Sequence, residues 1–296
     1  MLPKNMEKTM TRVALDTIAG EAFKVKIFNI EDISEIADTE ELYTAFESGW
    51  PVVIKGLRVS GVDYKYYDQL EDWVIEGNKW IMPWYNSHIK NRTRLEEERG
   101  WDKKQIDEFH NRHKMSTVGW SMLFNELFPR YKTTDEMLSH RYNMLVENKL
   151  HLDELDEEHT GDEQQIRMFL NLDYQRPRIL TFGPTVEQLW QEYYEECELQ
   201  GLTEVDVKRF ITGIRDKCVW NDKGWDQFHH PLHYITFDPG DIWFFNAQWI
   251  THQVVFGSKL QCYEADIVRE SLLKPELCLK DRIVALQETI QVQPDE

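Results

Sequence analysis

Residues 149–172 of the chain read KLHLDELDEEHTGDEQQIRMFLNL, and the end of this stretch alternates with a period of two. In a strand, successive side chains point to opposite sides, so two faces form. One face carries Arg167, Phe169 and Asn171, and the other carries Ile166, Met168 and Leu170. The apolar face is suited to packing on outer helices, and a face with Arg and Asn suits the inside of a polar barrel. The pattern therefore predicts a barrel or sandwich strand.

His151 and Asp153 precede that strand in the same stretch. Because residues i and i+2 of a strand share a face, the imidazole and the carboxylate are expected to project together. His252, far along the chain, supplies a third ligand. Two His and one carboxylate form the facial triad of non-haem Fe(II) oxygenases, which leaves coordination positions open. Taken alone, the His-x-Asp pair also fits a solvated strand edge.

Helix signals occur on both sides of the predicted strands. Residues 39–49 form a capped amphipathic segment that ends at Gly49, and residues 101–113 and 118–128 each have helical character before Pro129. Thr185-x-x-Gln188 is a capping box that opens a helix ending before Gly201, and Thr203-x-x-Asp206 opens another. The last two predict a helical pair inserted between strands.

Short apolar or alternating runs predict the strands. They lie at residues 51–54, 150–153, 166–172, 178–182, 234–237, 242–245, 252–256 and 260–267. Strands interrupted by a helical pair indicate a β-sandwich or barrel with helices packed outside. A continuous βαβ alternation, a GxGxxG loop and a Walker loop are all absent from the sequence, which disfavours nucleotide-binding folds.

Charge and composition restrict the class of partner. The formal net charge is −19, so most of the surface repels a nucleic-acid backbone or an anionic membrane. The four cysteines form no CxxC pair, and no stretch has the length and apolarity of a membrane span. We therefore expect a cytoplasmic protein with reduced thiols that binds neither nucleic acid nor membrane.

Two longer segments carry a family resemblance. Residues 149–184, KLHLDELDEEHTGDEQQIRMFLNLDYQRPRILTFGP, and residues 231–257, PLHYITFDPGDIWFFNAQWITHQVVFG, resemble the double-stranded β-helix 2-oxoglutarate oxygenases. Within that superfamily they look most like the Kdo 3-hydroxylases, which act on an inner-core sugar of lipopolysaccharide. The shared features are His151 with Asp153, Arg167 with Asn171, Pro177-Arg178, the turn Phe237 to Gly240, and His252 with Gly257.

The resemblance implies a division of the chain and a cofactor set. Residues 1–140 are expected to form an N-terminal α/β extension, and residues 141–270 the double-stranded β-helix core, mainly β, with a helical insert at 185–216. Residues 271–296 are expected to form a C-terminal helix and tail. Fe(II) would be held by His151, Asp153 and His252, with 2-oxoglutarate as cosubstrate and O2 as oxidant.

The resemblance also implies a basic residue that pairs with the far carboxylate of 2-oxoglutarate. Many members carry an Arg about ten residues after the distal His, but this chain has Cys262 there. A guanidinium matches a carboxylate with two parallel hydrogen bonds, so Arg178 and Arg167 are the candidates and Lys259 a weaker one. Asn171, at the end of the Arg167 strand, is expected among the cosubstrate contacts.

The expected activity is hydroxylation of an unactivated C–H bond in a small molecule or sugar. Asp153 favours hydroxylation over halogenation, because related halogenases have Gly or Ala at that position; desaturation and cyclisation stay open. Residues 49–56, GWPVVIKG, resemble a segment of JmjC-like peptide or protein hydroxylases, which is one alternative. A non-catalytic cupin-like binding module is another. The sequence gives no indication of the oligomeric state.

Overall fold

A computed structural model describes residues 17–18, 21–36, 39–70, 95–97, 100–141, 150–153, 155, 161–195, 197, 206–216 and 231–291. The strands are β1 (Thr17–Ile18), β2 (Glu21–Ala22), β3 (Lys26–Asn29), β4 (Val52–Lys55), β5 (Thr133–Arg141), β6 (Glu163–Asn171), β7 (Arg178–Thr185), β8 (His233–Phe237), β9 (Ile242–Phe245), β10 (Ile250–Phe256) and β11 (Leu260–Val268). The α-helices are α1 (Thr39–Glu47), α2 (Tyr64–Gln69), α3 (Lys103–Leu127), α4 (Val186–Tyr193), α5 (Val207–Ile214) and α6 (Leu279–Gln291). Short 3₁₀ helices span Ile33–Glu35, Arg269–Ser271 and Pro275–Leu277.

The large sheet has six strands in the order β3-β4-β9-β6-β11-β5. The pair β3 and β4 is parallel, and the other neighbours are antiparallel. Strand β6 lies inside the sheet, where Arg167 faces Phe245 of β9 on one side and Glu264 of β11 on the other. This register decides which side chains surround Arg167.

The small sheet has three antiparallel strands in the order β10-β7-β8. His252 of β10 lies opposite Phe182 of β7, which in turn lies opposite His233 of β8. Aromatic and aliphatic side chains fill the space between the two sheets. They include Phe169, Leu180, Phe182, Phe237, Trp243, Phe245 and Leu260. The large and small sheets therefore form a sandwich with one shared interior.

The outer face of the large sheet is covered by helices, as the alternation in β6 predicts. Ile166, Met168 and Leu170 pack into one core with α3 residues such as Phe109 and Phe124. Phe169, on the opposite face of β6, packs instead between the two sheets. A separate core joins α4, α5 and α6 to Leu150 and Leu152. The polar inner face of β6 is thereby directed into the sandwich.

Helix α3 corrects the prediction of two helices at 101–113 and 118–128. The helix is continuous over Lys103–Leu127, because weak helix formers in its middle are accommodated by side-chain bonds and packing. Ser116 and Thr117 donate their hydroxyls to the carbonyls of Arg112 and His113, both at 3.0 Å. Tertiary packing therefore overrides local propensity at this point.

Gly119 of α3 allows the turn at residues 60–61 to approach the helix backbone. A Cβ at this position would lie 1.5 Å from the carbonyl oxygen of Ser60. We expect Gly119→Ala to destabilise the fold by at least about 2 kcal/mol, although Ala is the better helix former by about 1 kcal/mol. Urea unfolding measures this change, with the exposed Met122→Ala as the control on the same helix. Equal or greater stability of Gly119→Ala would show that the turn does not pack against α3.

Most of the other predicted elements are confirmed. The strands expected at 51–54, 166–172, 178–182, 234–237, 242–245, 252–256 and 260–267 are present with shifted ends, as are the helix from residue 39, the capping box at Thr185 and a C-terminal helix. The helix expected from Thr203 begins at Val207 with Asp206 as its N-cap; Thr203 lies outside the described residues. Strand β5, which pairs with β11 at the edge of the large sheet, was not predicted.

The division into segments at residues 140 and 270 stays a prediction. The large sheet takes strands from both sides of position 140, since β3, β4 and most of β5 precede it. Among the described helices, none combines the length and apolarity that crossing a bilayer requires.

Candidate metal centre

An isolated β-bridge brings His151 and His252 together. The backbone N–H of His151 donates to the carbonyl of His252 at 3.0 Å, and that of His252 donates back at 2.9 Å. The strand predicted at 150–153 is thus limited to this bridge within the described residues. The two imidazole centroids lie 4.5 Å apart, and both side chains are buried. Backbone pairing, across a hundred residues of sequence, therefore fixes the separation of the two rings.

Asp153 joins the two imidazoles because its backbone is held as well. Its N–H donates to the carbonyl of Ala247, in the turn that leads into β10, at 2.9 Å. Oδ1 of Asp153 then lies 3.6 Å from Nε2 of His151 and 3.7 Å from Nε2 of His252. The three side chains offer ligand atoms that all lie within 4.8 Å of one another. The structure therefore brings the predicted triad together.

The tautomer of His252 suits a metal ligand. Its Nδ1 lies 3.2 Å from the carbonyl oxygen of Ile250, which requires an Nδ1–H donor. A proton on Nδ1 leaves the lone pair of Nε2 free to bind a metal ion. The ring is also packed edge-to-face against Phe245, with centroids 4.9 Å apart. The orientation of this ligand is thus fixed by the protein.

Asp153 is held as a carboxylate by its neighbours. Burial alone would raise its pKa, but the charge of Arg167, with smaller contributions from the nearby His151 and His252, holds the pKa well below its usual range. Arg167 bonds to Oδ2 through Nη1, and its Nε lies 3.5 Å from Glu264. The third ligand therefore stays ionised at any physiological pH.

The donor set fits one divalent transition-metal ion. Ligand atoms about 2.1 Å from a metal, at angles between 90° and 120°, are separated by roughly 3.0–3.6 Å. The distances of 3.6 and 3.7 Å from Oδ1 to the two Nε2 atoms lie close to this range. Two imidazoles and one carboxylate form the 2-His-1-carboxylate set, which suits Fe(II) and leaves positions for other ligands.

A cavity opens from the triad into the sandwich. The space not occupied by atoms in and around it is about 420 Å³, and part of that space is open to solvent. Its wall includes Arg167, Arg178, Leu180, Trp243, Val254 and Leu260, together with the three candidate ligands. Polar and apolar groups share this wall about equally, and the two guanidinium groups are its cations. Such a cavity suits a small anion that reaches inward from the metal.

Arg178 lies deep in this cavity. Its side chain is only 2% exposed although it carries a permanent charge, and Nη1 contacts the carbonyl of Ser258 at 3.4 Å. Gly257, at φ +147°, provides the space, since a Cβ there would lie 2.6 Å from Cγ of Arg178. A glycine at this position is therefore required by both the backbone conformation and the arginine.

Two other predicted contacts lie elsewhere. Asn171 donates its side-chain amide to the carbonyls of Arg176 and Phe237, both at 3.2 Å, and does not line the cavity. Lys259 donates to the carbonyl of Asp68 and also lies outside the wall. Cys262 is a buried cysteine on β11 whose thiol donates to Oε1 of Glu264 at 3.5 Å. Of the proposed basic residues, the structure brings only Arg167 and Arg178 to the cavity.

Two residues of the site were not singled out by the sequence reasoning. Trp243 belongs to the core between the two sheets and also lines the cavity, and its buried Nε1 has no hydrogen-bond partner among the described residues. Glu264 had no assigned role. The alternation of β11 contains the signal for it, because Glu264 shares a face with Cys262, the position where related chains carry a basic residue.

Comparisons with known proteins connect this site to one group of solved structures. No protein-family model matches the chain, and no curated protein sequence matches it significantly. A crystal structure of the Kdo hydroxylase KdoO, a non-haem Fe(II) α-ketoglutarate-dependent dioxygenase, in complex with cobalt(II) superposes with a TM-score of 0.63. That match has 16% sequence identity and covers 91% of this chain and 96% of the other.

This chain has the KdoO fold. A second KdoO structure, with succinate and Fe(III), matches with a TM-score of 0.62 and 19% identity over the same shares of both chains. A third, with α-ketoglutarate and Fe(III), gives 0.61 at 18% identity and covers 90% of this chain and 95% of the other. The predicted double-stranded β-helix with outer helices is therefore confirmed, and the triad occupies the interior of a KdoO-like sandwich.

Proposed function

We propose that the protein is an Fe(II)- and 2-oxoglutarate-dependent oxygenase with His151, Asp153 and His252 as metal ligands. The supporting observation is the meeting of two imidazoles and one ionised carboxylate within 4.8 Å at an internal cavity that contains a buried arginine. The KdoO structures support the same chemistry, since the proteins they describe are dioxygenases of this type.

Arg178 is the proposed anchor for the distal carboxylate of 2-oxoglutarate. It lies four residues along β7 from Phe182, the residue opposite His252, which corresponds to about 13 Å at 3.3 Å per residue. An extended arginine side chain and a five-carbon dicarboxylate together bridge a gap of this size. Arg167 is less suited, because Asp153 and Glu264 already occupy its guanidinium.

The charges of the cavity suit this pair of ligands. Asp153 and Glu264 carry one negative charge each, and Arg167 and Arg178 carry one positive charge each, so the four side chains sum to zero. A divalent cation and a dianion add no net charge. Neutrality is important here because an uncompensated charge in a buried site costs several kcal/mol, on the order of 3–5 when one partner is removed.

The orphan donor of Trp243 also fits an anionic cosubstrate. A buried N–H without a partner costs about 1–3 kcal/mol, and an oxygen atom of a bound ligand removes this cost. Trp243 is held by stacking on Phe237 and Phe169, with centroids 4.2 and 5.4 Å away. The indole is therefore a rigid donor in the cavity wall.

The side chains of the site bind, orient and shield the reactants. His151, Asp153 and His252 would hold the metal, and Arg178 would set the direction of the cosubstrate along the cavity. The apolar wall from Leu180, Val254 and Leu260 keeps water from the inner end. Bound iron supplies the oxidising chemistry, in which 2-oxoglutarate and O2 yield succinate, CO2 and one hydroxylated C–H bond.

The proposed substrate is a small molecule or a sugar. Kdo, the compound named for the matching structures, is a sugar, and this is the support for that class. Substrate-stimulated succinate release over a panel of sugars, small acids and peptides tests the assignment. Stimulation only by peptides would favour a JmjC-like activity instead.

An anaerobic titration tests the function itself. Fe(II) followed by 2-oxoglutarate is expected to produce the weak visible charge-transfer absorption of the chelate, with one metal per chain. A well-folded sample that takes up no Fe(II) would support a non-catalytic binding module. Iron binding without a 2-oxoglutarate response would contradict the cosubstrate assignment.

A further inference from the structure

Asp153, Arg167 and Glu264 form a row of alternating charges behind the metal centre. Arg167 bonds to Oδ2 of Asp153 through Nη1, while its Nε donates to Oε1 of Gln165 at 2.7 Å and lies 3.5 Å from Glu264. The three charged side chains are less than one-fifth exposed. The row is therefore shielded from solvent. Attraction between opposite charges is stronger in such a shielded environment than in water.

Backbone register fixes this row in place. Arg167 and Glu264 are direct partners in the β6–β11 ladder, so their side chains project from the same face of the large sheet. Asp153 is attached to a different part of the fold, through the carbonyl of Ala247. Arg167 thus links the carboxylate of the triad to the rigid centre of the large sheet.

The two oxygens of Asp153 have different neighbours. Oδ1 lies 3.6 and 3.7 Å from the two histidine Nε2 atoms, whereas Oδ2 faces Arg167. A carboxylate held in this way presents one oxygen to a metal and withholds the other. Without the arginine, rotation about the Cβ–Cγ bond would expose both oxygens to the same ion.

We propose that Arg167 is a positioning residue that makes Asp153 a monodentate ligand, with Glu264 fixing the guanidinium from behind. This inference rests on the proposed metal site and assigns Arg167 to the metal ligand instead of to 2-oxoglutarate. Monodentate binding keeps one more coordination position open for cosubstrate and O2. Partners behind a metal ligand typically change metal affinity 10- to 100-fold when they are removed.

The test compares Arg167→Met with Arg178→Met in the full chain. Co(II) serves as the probe, with its dissociation constant measured by chelator competition and its coordination by d–d absorption, both without turnover. Arg167→Met is expected to weaken Co(II) binding about 10- to 100-fold and to change the d–d spectrum. Arg178→Met is expected to leave both unchanged. Arg167→Lys keeps the positive charge but lacks the planar, paired donors of a guanidinium, so it should recover part of the Co(II) affinity.

The outcomes separate this inference from the proposed function. If wild-type protein binds no Co(II), the metal site itself is wrong. If wild type binds and Arg167→Met shows the same affinity and spectrum, the positioning role is overturned and the metal site stands. Glu264→Gln provides a second, milder test should Arg167→Met fail to fold: a loss of a few-fold in Co(II) affinity supports the row, and an unchanged spectrum and affinity contradict it.

Discussion

Replacing His252 with alanine is expected to lower the affinity for Fe(II) or Co(II) by more than about 100-fold, beyond the range found for residues that only support a ligand. His252 is one of the three proposed protein ligands, and its Nδ1 contact to the carbonyl of Ile250 makes Nε2 the candidate metal-binding atom. The loss is measured by chelator competition or calorimetry under anaerobic conditions. Succinate release should fall with it.

His233→Ala is the matched control for His252→Ala. His233 is also a buried histidine of the small sheet, but it stacks on Phe23 and does not belong to the triad. The metal affinity of the His233→Ala variant should equal that of the wild-type protein. Metal binding that survives in His252→Ala, or that is lost equally in both variants, would show that the triad is not the metal site.

Arg178→Met is expected to raise the dissociation constant for 2-oxoglutarate by at least about 100-fold and to leave metal affinity unchanged. Two charge-assisted hydrogen bonds from one guanidinium, each worth about 1.5–3 kcal/mol, account for an effect of this size. Methionine keeps an unbranched stem against Gly257, so packing is largely preserved. The loss is measured by anaerobic titration of the Fe(II)-loaded protein.

Lys259→Met provides the control for the choice of anchor. The ammonium of Lys259 is bonded to the carbonyl of Asp68, outside the cavity wall, so its removal should not affect 2-oxoglutarate affinity. If Arg178→Met binds 2-oxoglutarate as wild type does, the anchor is a different group. If Lys259→Met loses affinity instead, the arrangement of the cavity in solution differs from that described.

The sequence alone predicted the triad and the type of fold because both depend on local patterns. The alternation of Ile166 to Leu172 depends on side-chain direction, which the strand period fixes. The His-x-Asp pair and a distal histidine can be recognised from the order of residue types along the chain. That the ligand atoms lie within 4.8 Å depends on the bridge between His151 and His252, a pairing that no local pattern reveals.

The sequence could not separate Arg167 from Arg178 as the cosubstrate anchor. Both are arginines in predicted strands, and their difference arises from cross-strand register. Arg167 lies opposite Glu264, and Arg178 lies beside Gly257. Register between strands ninety residues apart is set by the whole sheet, so it must be observed. The same holds for α3, a continuous helix in which Gly119 lies directly against the carbonyl of Ser60, a contact that no local pattern reveals.

The position of the metal tests the central claim most directly. Crystals of the protein grown anaerobically with Co(II) are expected to show one strong anomalous peak about 2.1 Å from Nε2 of His151, Nε2 of His252 and Oδ1 of Asp153. The peak should be absent from crystals of His252→Ala. A fully loaded protein whose cobalt lies elsewhere, with these three side chains unligated, would contradict the account.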